Sequence, residues 1–245
     1  MEHEELWFTA ILNRLFGGLA TALLETLGIH VESPAHPIPN HLAMQILVAG
    51  ILMVLFWMIR RRLSVDKPGK LQHIMELLVD GLGTQAEEII GHEGKRFLPL
   101  LFTLAVFIFI CNVLGIIPTF ATPTGQVTVT LGCALVAFCY YNYAGVRHHG
   151  LLHYLKTFMG PFVPLFFIMI PIEIVSHLAR LLSLSVRLYA NMMAGHLVTL
   201  VFIGLVPVLV PVVFEGLHIF VAMLQAFIFV LLTMVYLGGA VSEEH

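Results

Sequence analysis

The sequence predicts an all-α membrane protein with five transmembrane helices, and composition is the first reason for that prediction. Of the 245 residues, 59% are hydrophobic and 11% are charged, and the mean hydropathy is +0.94, well above that of soluble domains. Uncharged stretches long enough to cross ~30 Å of hydrocarbon as a helix recur along the chain. The net charge is −3 and three arginines at 60–62 are the longest basic run. We therefore expect neither a soluble enzyme nor a nucleic-acid partner.

Residues 1–41 are predicted to form an extracytoplasmic N-terminal segment of a single membrane domain that covers 1–245. The chain opens with acidic rather than basic residues, so no cleavable signal peptide is predicted. Residues 8–29 are apolar but interrupted by Arg14 and Glu25, which favours an amphipathic interfacial helix over a span. Three prolines between positions 32 and 40 then predict an irregular segment outside the bilayer.

Three spans and one surface helix are predicted in the middle of the chain. Uncharged runs indicate membrane helices at 42–59, 97–117 and 127–145, and the segment 118–126, which contains Pro and Gly, joins the last two into a hairpin. Residues 69–90 carry apolar side chains at helical spacing, with acidic residues elsewhere on the helical wheel. That pattern is typical of an amphipathic helix lying on a membrane surface, here the cytoplasmic one.

The last two membrane helices, at 162–203 and 212–240, are predicted to be long and steeply tilted. Neither Gly nor Pro occurs between Ile172 and Ala194, so residues 164–203 predict one continuous helix. At ~1.5 Å per residue such a helix is ~60 Å long, about twice the hydrocarbon thickness, and it must therefore tilt. Pro207 and Pro211 predict that the chain reverses within 204–211.

Charge asymmetry predicts the orientation. Alternating spans put the nine basic residues between positions 60 and 156 on one side of the membrane and Arg14 alone on the other. The side rich in Lys and Arg is the cytoplasmic one by the positive-inside rule. We therefore expect a multi-pass protein of the inner (plasma) membrane, with its N-terminus extracytoplasmic and its C-terminus cytoplasmic.

The last two spans contain ionisable and amide side chains, which are costly within a bilayer and by default mark ion pathways. On the first of these helices, four polar positions fall within about 40° of one another at about 100° per residue: Glu173, Arg180, Arg187 and Asn191. His196 lies about 180° around the helix from Arg187. On the returning helix, three polar positions share one face: Glu215, His218 and Gln225. The two helices are thus predicted to enclose a polar strip.

Two interpretations of this strip are open. In the structural one, Glu173 pairs with Arg180 and Gln225 bonds Arg187, because a polar group in lipid must find a partner. In the functional one, the strip is a proton path, since histidine titrates near neutral pH and carboxylates can be raised toward it, whereas arginine keeps its proton.

The functional interpretation assigns a role to each group. Arg187 acts as a gate, because a fixed positive charge repels protons and favours the ionised form of a nearby carboxylate. Glu173 and Ser176 form a polar access route on the same face. The predicted relay consists of His196, Glu215 and His218.

A resemblance to a known family rests on three segments. The run 185–196, SVRLYANMMAGH, resembles the signature of subunit a of the F-type ATP synthase, the stator that conducts protons beside a rotating c-ring. The runs LQAFIFVLLTMVYL at 224–237 and PGKLQHIMELLVDG at 68–81 are similar to further segments of bacterial members. The resemblance extends from Leu42 to the end of the chain.

The resemblance implies a non-catalytic subunit that offers two half-channels to the c-ring and couples proton flow to rotation and ATP synthesis. It implies as partners the c-ring of proteolipid subunits, the peripheral-stalk subunit b, the other ATP synthase subunits and the lipid membrane. No cofactor, metal or catalytic nucleotide site is expected on this chain. Arg187 resembles the family's arginine that faces the c-ring carboxylate, with Asn191 and Gln225 as its polar neighbours. Glu173 and Ser176 resemble members of one half-channel.

Two departures from the family pattern concern the other half-channel. His196 and His218 stand where the family often has a Glu and His pair, and here both are histidine. Either the two histidines form the relay pair, or Glu215 supplies the missing carboxylate. Gln126 and Thr128 stand where related chains often have Asp or Asn, which implies a less acidic entrance.

Two other classes of function compete with this one. A self-contained ion-coupled secondary transporter would use the same intramembrane groups to bind a substrate, but no internal repeat typical of such proteins occurs in the sequence. A purely structural scaffold is disfavoured by two intramembrane arginines. Proton and sodium coupling both stay open, because the ion-binding carboxylate belongs to the partner ring.

Overall fold

A computed structural model of the protein describes residues 6–26, 37–64, 67–117, 120, 122–150, 166–205 and 209–241. Within these residues the chain is helical and contains no strand. The helices are α1 (Trp7–Thr26), α2 (Asn40–Arg62), α3 (Lys70–Ile90), α4 (Leu98–Leu114), α5 (Val127–His149), α6 (Phe166–Leu205) and α7 (Leu209–Val241). Short 3-10 helices at Gly94–Phe97 and Pro123–Gly125 precede α4 and α5.

Among the described residues, five helical segments are long and apolar enough to cross a membrane, which confirms the predicted fold class. They are Asn40–Arg62, Gly94–Leu114, Val127–His149, Met169–Phe202 and Val212–Val241. α2 ends in three arginines and α5 ends in Arg147, His148 and His149. Cations there interact favourably with the carbonyl ends of the two helices.

α6 is one continuous helix of 40 residues, as its lack of turn signals predicts. The apolar segment Met169–Phe202 has 34 residues, or about 50 Å at ~1.5 Å per residue, so the helix must tilt to stay within a bilayer. Pro171 lies inside the helix near its start, where it removes one backbone hydrogen bond without ending the helix. Positions 162–165 of the predicted span lie outside the described residues.

The reversal between the last two helices is shorter than the predicted 204–211. α6 continues through Leu205 and α7 already begins at Leu209, so Gly204 and Pro211 are both helical. Pro211 is in the first turn of α7, where its missing N–H has no carbonyl to bond and its fixed φ suits the helix. Pro211 therefore marks the start of α7 rather than the turn before it.

The core of the molecule lies between α4, α5, α6 and α7. Its largest fully buried side chains include Leu101, Tyr141, Leu188, Phe229 and Met234. α3 docks on this bundle through Leu82 and Ala86, and its C-terminal end approaches α7 so closely that a Cβ on Gly238 would lie 2.8 Å from the Ile89 carbonyl oxygen. This contact joins the C-terminal end of α3 to the C-terminal end of α7.

Candidate functional site

Arg187 lies on the exposed face of α6 among apolar side chains. Leu184, Leu188 and Met192, spaced four residues apart, form a buried stripe, and Arg187 is turned about 100° from Leu188 around the helix. Its neighbour Val186 is 54% exposed. Arg187 therefore points away from the core of its own chain.

The guanidinium of Arg187 has little to bond within the described part of the chain. Its Nη2 lies 3.5 Å from the Ser183 hydroxyl, an exposed contact one turn back. The ion pairs of the described residues join other side chains. A charged group on an apolar face of a membrane helix is costly unless it is paired, and within the described residues no carboxylate pairs with Arg187.

Asn191 and Gln225 join α6 to α7 one helical turn beyond Arg187. Nδ2 of Asn191 donates to Oε1 of Gln225 at 3.5 Å. The buried Nε2 of Gln225 has no hydrogen-bond partner among the described residues. The structural interpretation predicts a bond between Gln225 and Arg187. In the structure, Gln225 instead bonds Asn191.

The N-terminal half of α6 carries a hydrogen-bonded group of three side chains, which we call the Glu173 cluster: Glu173, His177 and Tyr141. Nε2 of His177 lies 3.3 Å from the Glu173 carboxylate, and its Nδ1 lies 2.8 Å from the Tyr141 hydroxyl. The His177 and Tyr141 rings also stack, with centroids 5.8 Å apart. Ser176 is half-buried on the same turn of α6.

Arg180 does not pair with Glu173 in the way that the structural interpretation predicts. Its guanidinium lies over the Tyr236 ring of α7, 5.5 Å from the ring centroid, a cation–π contact. Glu173 instead pairs with His177. On a helix, residues four apart meet, whereas residues seven apart are two turns away from each other.

The C-terminal half of α6 contributes to a second group, which we call the His196 cluster. Thr122, His196 and His218 contact one another in turn, and Glu215 lies three residues before His218 on the same face of α7. The Thr122 hydroxyl is hydrogen-bonded to Nε2 of His196. The His196 and His218 rings meet edge to face, with centroids 6.0 Å apart and planes at 70°. The sequence left two partners open for His196, namely Glu215 and His218. In the structure, the ring of His196 contacts the ring of His218.

Gly195 makes the approach of His218 to α6 possible. A Cβ on Gly195 would overlap the imidazole ring of His218 at Nε2. Because glycine has no side chain, the ring of His218 can pack directly against the backbone of the facing helix. His218 is buried as a result, with 8% of its surface exposed.

Two polar atoms of the His196 cluster are buried without a hydrogen-bond partner in the described part of the chain, namely Oε2 of Glu215 and Nε2 of His218. A cavity of about 180 Å³, open on one side, lies beside His218 between α6 and α7. Asn191 and Thr199 line it together with apolar side chains such as Phe214 and Leu217. His218 and the amide of Asn191 thus face the same cavity.

Arg187 lies between the two clusters along α6. Glu173 is 14 residues before it and His196 nine residues after it, or about 21 Å and about 13 Å along the helix axis. The helix thus carries two separate polar groups with two arginines between them, Arg180 over the Tyr236 ring and Arg187 on the exposed face. The intervening charges disfavour a continuous chain of proton sites from one cluster to the other.

Sequence reasoning missed three members of these clusters. Tyr141 occurs in an otherwise apolar span and Thr122 in a turn, and no periodicity relates either residue to α6. His177 is beside the polar face of α6 in the sequence, but its role as the partner of both Glu173 and Tyr141 depends on how α5 packs. The sequence feature that could have pointed to Tyr141 was its polar hydroxyl group within a predicted membrane span.

Comparison with known proteins identifies the family. Residues 42–238 match the family model of the ATP synthase A chain. The chain is 50% identical to the ATP synthase subunit a of Solibacter usitatus over 96% of its length and all of that protein. It is 47% identical to that of Koribacter versatilis over the full length of both chains, and 40% identical to that of Trichlorobacter lovleyi over 80% of this chain and 84% of the relative. Since the matched region begins in α2, ends in α7 and includes every member of both polar clusters, the chain belongs to the ATP synthase subunit a family.

Proposed function

We propose that this chain is the proton-conducting stator subunit of an F-type ATP synthase, with two half-channels that meet the c-ring at Arg187. One observation carries the proposal: Arg187 is exposed on an apolar face of a membrane helix, and within the described residues no carboxylate pairs with it. A carboxylate on the rotating ring is the partner that such a guanidinium requires. Family membership supports the same partner.

The His196 cluster forms the extracytoplasmic half-channel. A proton enters through the turn before α5 and passes by His196 and His218, with Glu215 as the carboxylate that the family's usual pair would contain. The cavity beside His218 gives water a place to carry the proton on toward Asn191 and Gln225. The proton then neutralises a rotor carboxylate.

The Glu173 cluster, together with Ser176, forms the cytoplasmic half-channel. A rotor carboxylate that has travelled round through lipid meets the field of Arg187, which favours its ionised form. The released proton leaves along the polar face of α6 past Ser176 and Glu173. Arg187 separates the two half-channels because an arginine guanidinium cannot give up its own proton.

Coupling follows from this separation. A proton can cross the membrane only by riding on the ring, so the transmembrane potential, about 2.3 kcal/mol per charge per 100 mV, turns the rotor. The catalytic sites of ATP synthesis belong to other subunits, and this chain is non-catalytic. Its partners are the c-ring, the peripheral-stalk subunit b and the remaining synthase subunits.

The location follows from the same reasoning. The basic ends of α2 and α5 face the cytoplasm under the positive-inside rule, so the chain lies in the plasma membrane with an extracytoplasmic N-terminus. α3 lies along the cytoplasmic surface, where its apolar side chains contact lipid; exposed ones include Leu71, Ile74, Leu77 and Leu78.

The decisive test is Arg187→Ala in fully assembled synthase reconstituted into vesicles. Proton-driven ATP synthesis should vanish, while passive proton leak persists or rises, because removing the charge opens a path between the half-channels. Arg180→Ala is the matched control, since it removes an arginine from the same helix whose contact is the Tyr236 ring, and synthesis should continue.

Two outcomes would overturn the proposal. Wild-type synthesis by the Arg187→Ala complex would show that the arginine is not the gate. Purification of this chain alone as a stable, active homo-oligomer would favour a self-contained ion-coupled transporter instead.

A further inference from the structure

We propose that Thr122 is a positioning residue of the proton path, which holds the imidazole of His196 toward His218 in both of its protonation states. This inference rests on the proposed function, and it concerns a residue in the turn between α4 and α5 rather than on the two long helices. Its basis is the hydrogen bond between the Thr122 hydroxyl and Nε2 of His196, which joins positions 74 residues apart.

The chemistry of a hydroxyl suits this role. A threonine hydroxyl can donate one hydrogen bond and accept others, and its hydrogen rotates freely. When His196 is neutral with a bare Nε2, the Thr122 O–H donates to it. When His196 is protonated, its Nε2–H donates to the lone pair of the same oxygen. The bond therefore survives a full cycle of proton uptake and release without movement of either heavy atom.

The turn that carries Thr122 is fastened to two helices. The neighbouring Thr124 hydroxyl donates to Oδ1 of Asn112 on α4 at 2.7 Å, and Nδ2 of Asn112 contacts the Ala222 carbonyl oxygen on α7 at 3.4 Å. Ala222 is one helical turn beyond His218. Thr122 is thus held in place relative to both histidines.

Two glycines leave room for the cluster. A Cβ on Gly115 would overlap the Thr122 side chain, just as a Cβ on Gly195 would overlap His218. Thr122 itself is 9% exposed. The side chain is therefore buried between the end of α4, at Gly115, and His196 on α6.

The test compares Thr122→Val with Thr122→Ser in assembled synthase. Valine keeps the shape of threonine but cannot hydrogen-bond, so proton-driven ATP synthesis should fall by about tenfold, the effect of one lost hydrogen bond to a charged group. Serine keeps the hydroxyl and should restore synthesis to within about twofold of wild type. The matched control is Thr233→Val, because the buried Thr233 hydroxyl bonds the Phe229 carbonyl of its own helix, and it should leave synthesis unchanged.

A second experiment separates positioning from packing. In a His196→Gln background, Thr122→Val should cause no further loss, because the imidazole that it positions is absent. If Thr122→Val prevents assembly, Thr122→Cys replaces it, since a thiol has a similar size and hydrogen-bonds weakly. The cysteine variant should show the same loss.

The outcomes distinguish this inference from the proposed function. Equal rates for the valine, serine and wild-type complexes would overturn the role of Thr122, as would a serine variant as slow as the valine one. Arg187→Ala, measured in parallel, tests the gate independently. If the Arg187→Ala complex makes no ATP while the Thr122→Val complex is fully active, the proposed function stands and the positioning role of Thr122 is rejected.

Discussion

The two polar clusters on α6 differ in how fully their groups are satisfied. In the Glu173 cluster, each ring nitrogen of His177 has a partner, a carboxylate on one side and the Tyr141 hydroxyl on the other. In the His196 cluster, Nε2 of His218 and Oε2 of Glu215 are buried without a partner among the described residues, and a cavity lies beside His218.

This difference supports different tasks for the two ends of the helix in the proposed mechanism. A buried polar group without a hydrogen bond costs about 1–3 kcal/mol, so each such group in a native structure calls for an explanation, for example a bound water or a functional role. In the proposed mechanism, the Glu173 cluster fastens α6 to α5 and also offers a polar exit. The His196 cluster keeps bonding capacity available beside the cavity, as the proposed proton relay requires.

The largest effect on ATP synthesis is expected for Arg187→Lys, which replaces the arginine that lies between the two clusters. A lysine ammonium is compact, lies on a flexible stem and can lose its proton when desolvated, so coupled ATP synthesis should be abolished although the charge type is conserved. Arg180→Lys is the control, because an ammonium can also lie over the Tyr236 ring. Synthesis in vesicles under an imposed proton gradient is the measurement. An Arg187→Lys complex that still synthesises ATP would show that Arg187, like Arg180, can be replaced by lysine.

The next largest effect should come from Gly195→Ala, which tests the packing of the His196 cluster. The added Cβ would overlap the His218 ring, so the ring must move away from His196, and synthesis should fall by tenfold or more. Gly204→Ala on the same helix adds a Cβ with nothing within 4 Å and should have no effect. Similar rates for the two alanine variants would show that the contact between the histidine rings does not matter.

A smaller loss, on the order of three- to tenfold, is expected for Glu215→Gln. The amide keeps the size of the carboxyl group but cannot exchange a proton. Glu173→Gln should cost less, since an amide can still hydrogen-bond His177. Rates of ATP synthesis in complexes with equal subunit content provide the measurement. A larger loss at Glu173 than at Glu215 would reverse the assignment of tasks to the two clusters.

The smallest functional effect is expected for Tyr141→Phe, which tests the Glu173 cluster as a structural fastening. Removing the hydroxyl takes away the bond to Nδ1 of His177 and should destabilise the complex by about 1–2 kcal/mol, with synthesis within about twofold of wild type. The exposed Tyr143→Phe is the matched control and should leave stability unchanged. Thermal dissociation in detergent measures the difference. Loss of synthesis without loss of stability would instead indicate a direct role for Tyr141 in proton transfer.

Much of the fold could be predicted from the sequence, because a bilayer imposes simple rules on it. Uncharged runs predict the spans, and the absence of Gly and Pro between Ile172 and Ala194 predicts the single long helix α6. The reversal after α6 was predicted too long, since Pro211 marks a helix start. Helical periodicity also predicts that Glu173, Arg187 and Asn191 lie on one face of α6. This prediction needs only their spacing along a single helix.

The partners of those side chains depended on tertiary structure. The bonds of Thr122 to His196 and of Tyr141 to His177 cross from one helix or turn to another, and residue spacing within a helix carries no information about which neighbour packs against it. The contact of His218 with His196 requires a glycine at 195 and the crossing of α6 and α7 at that point. The sequence by itself therefore determined the membrane helices and the charge at Arg187, because these follow from the cost of polar groups in lipid. Only the packing of the helices decided which polar groups pair and which remain available.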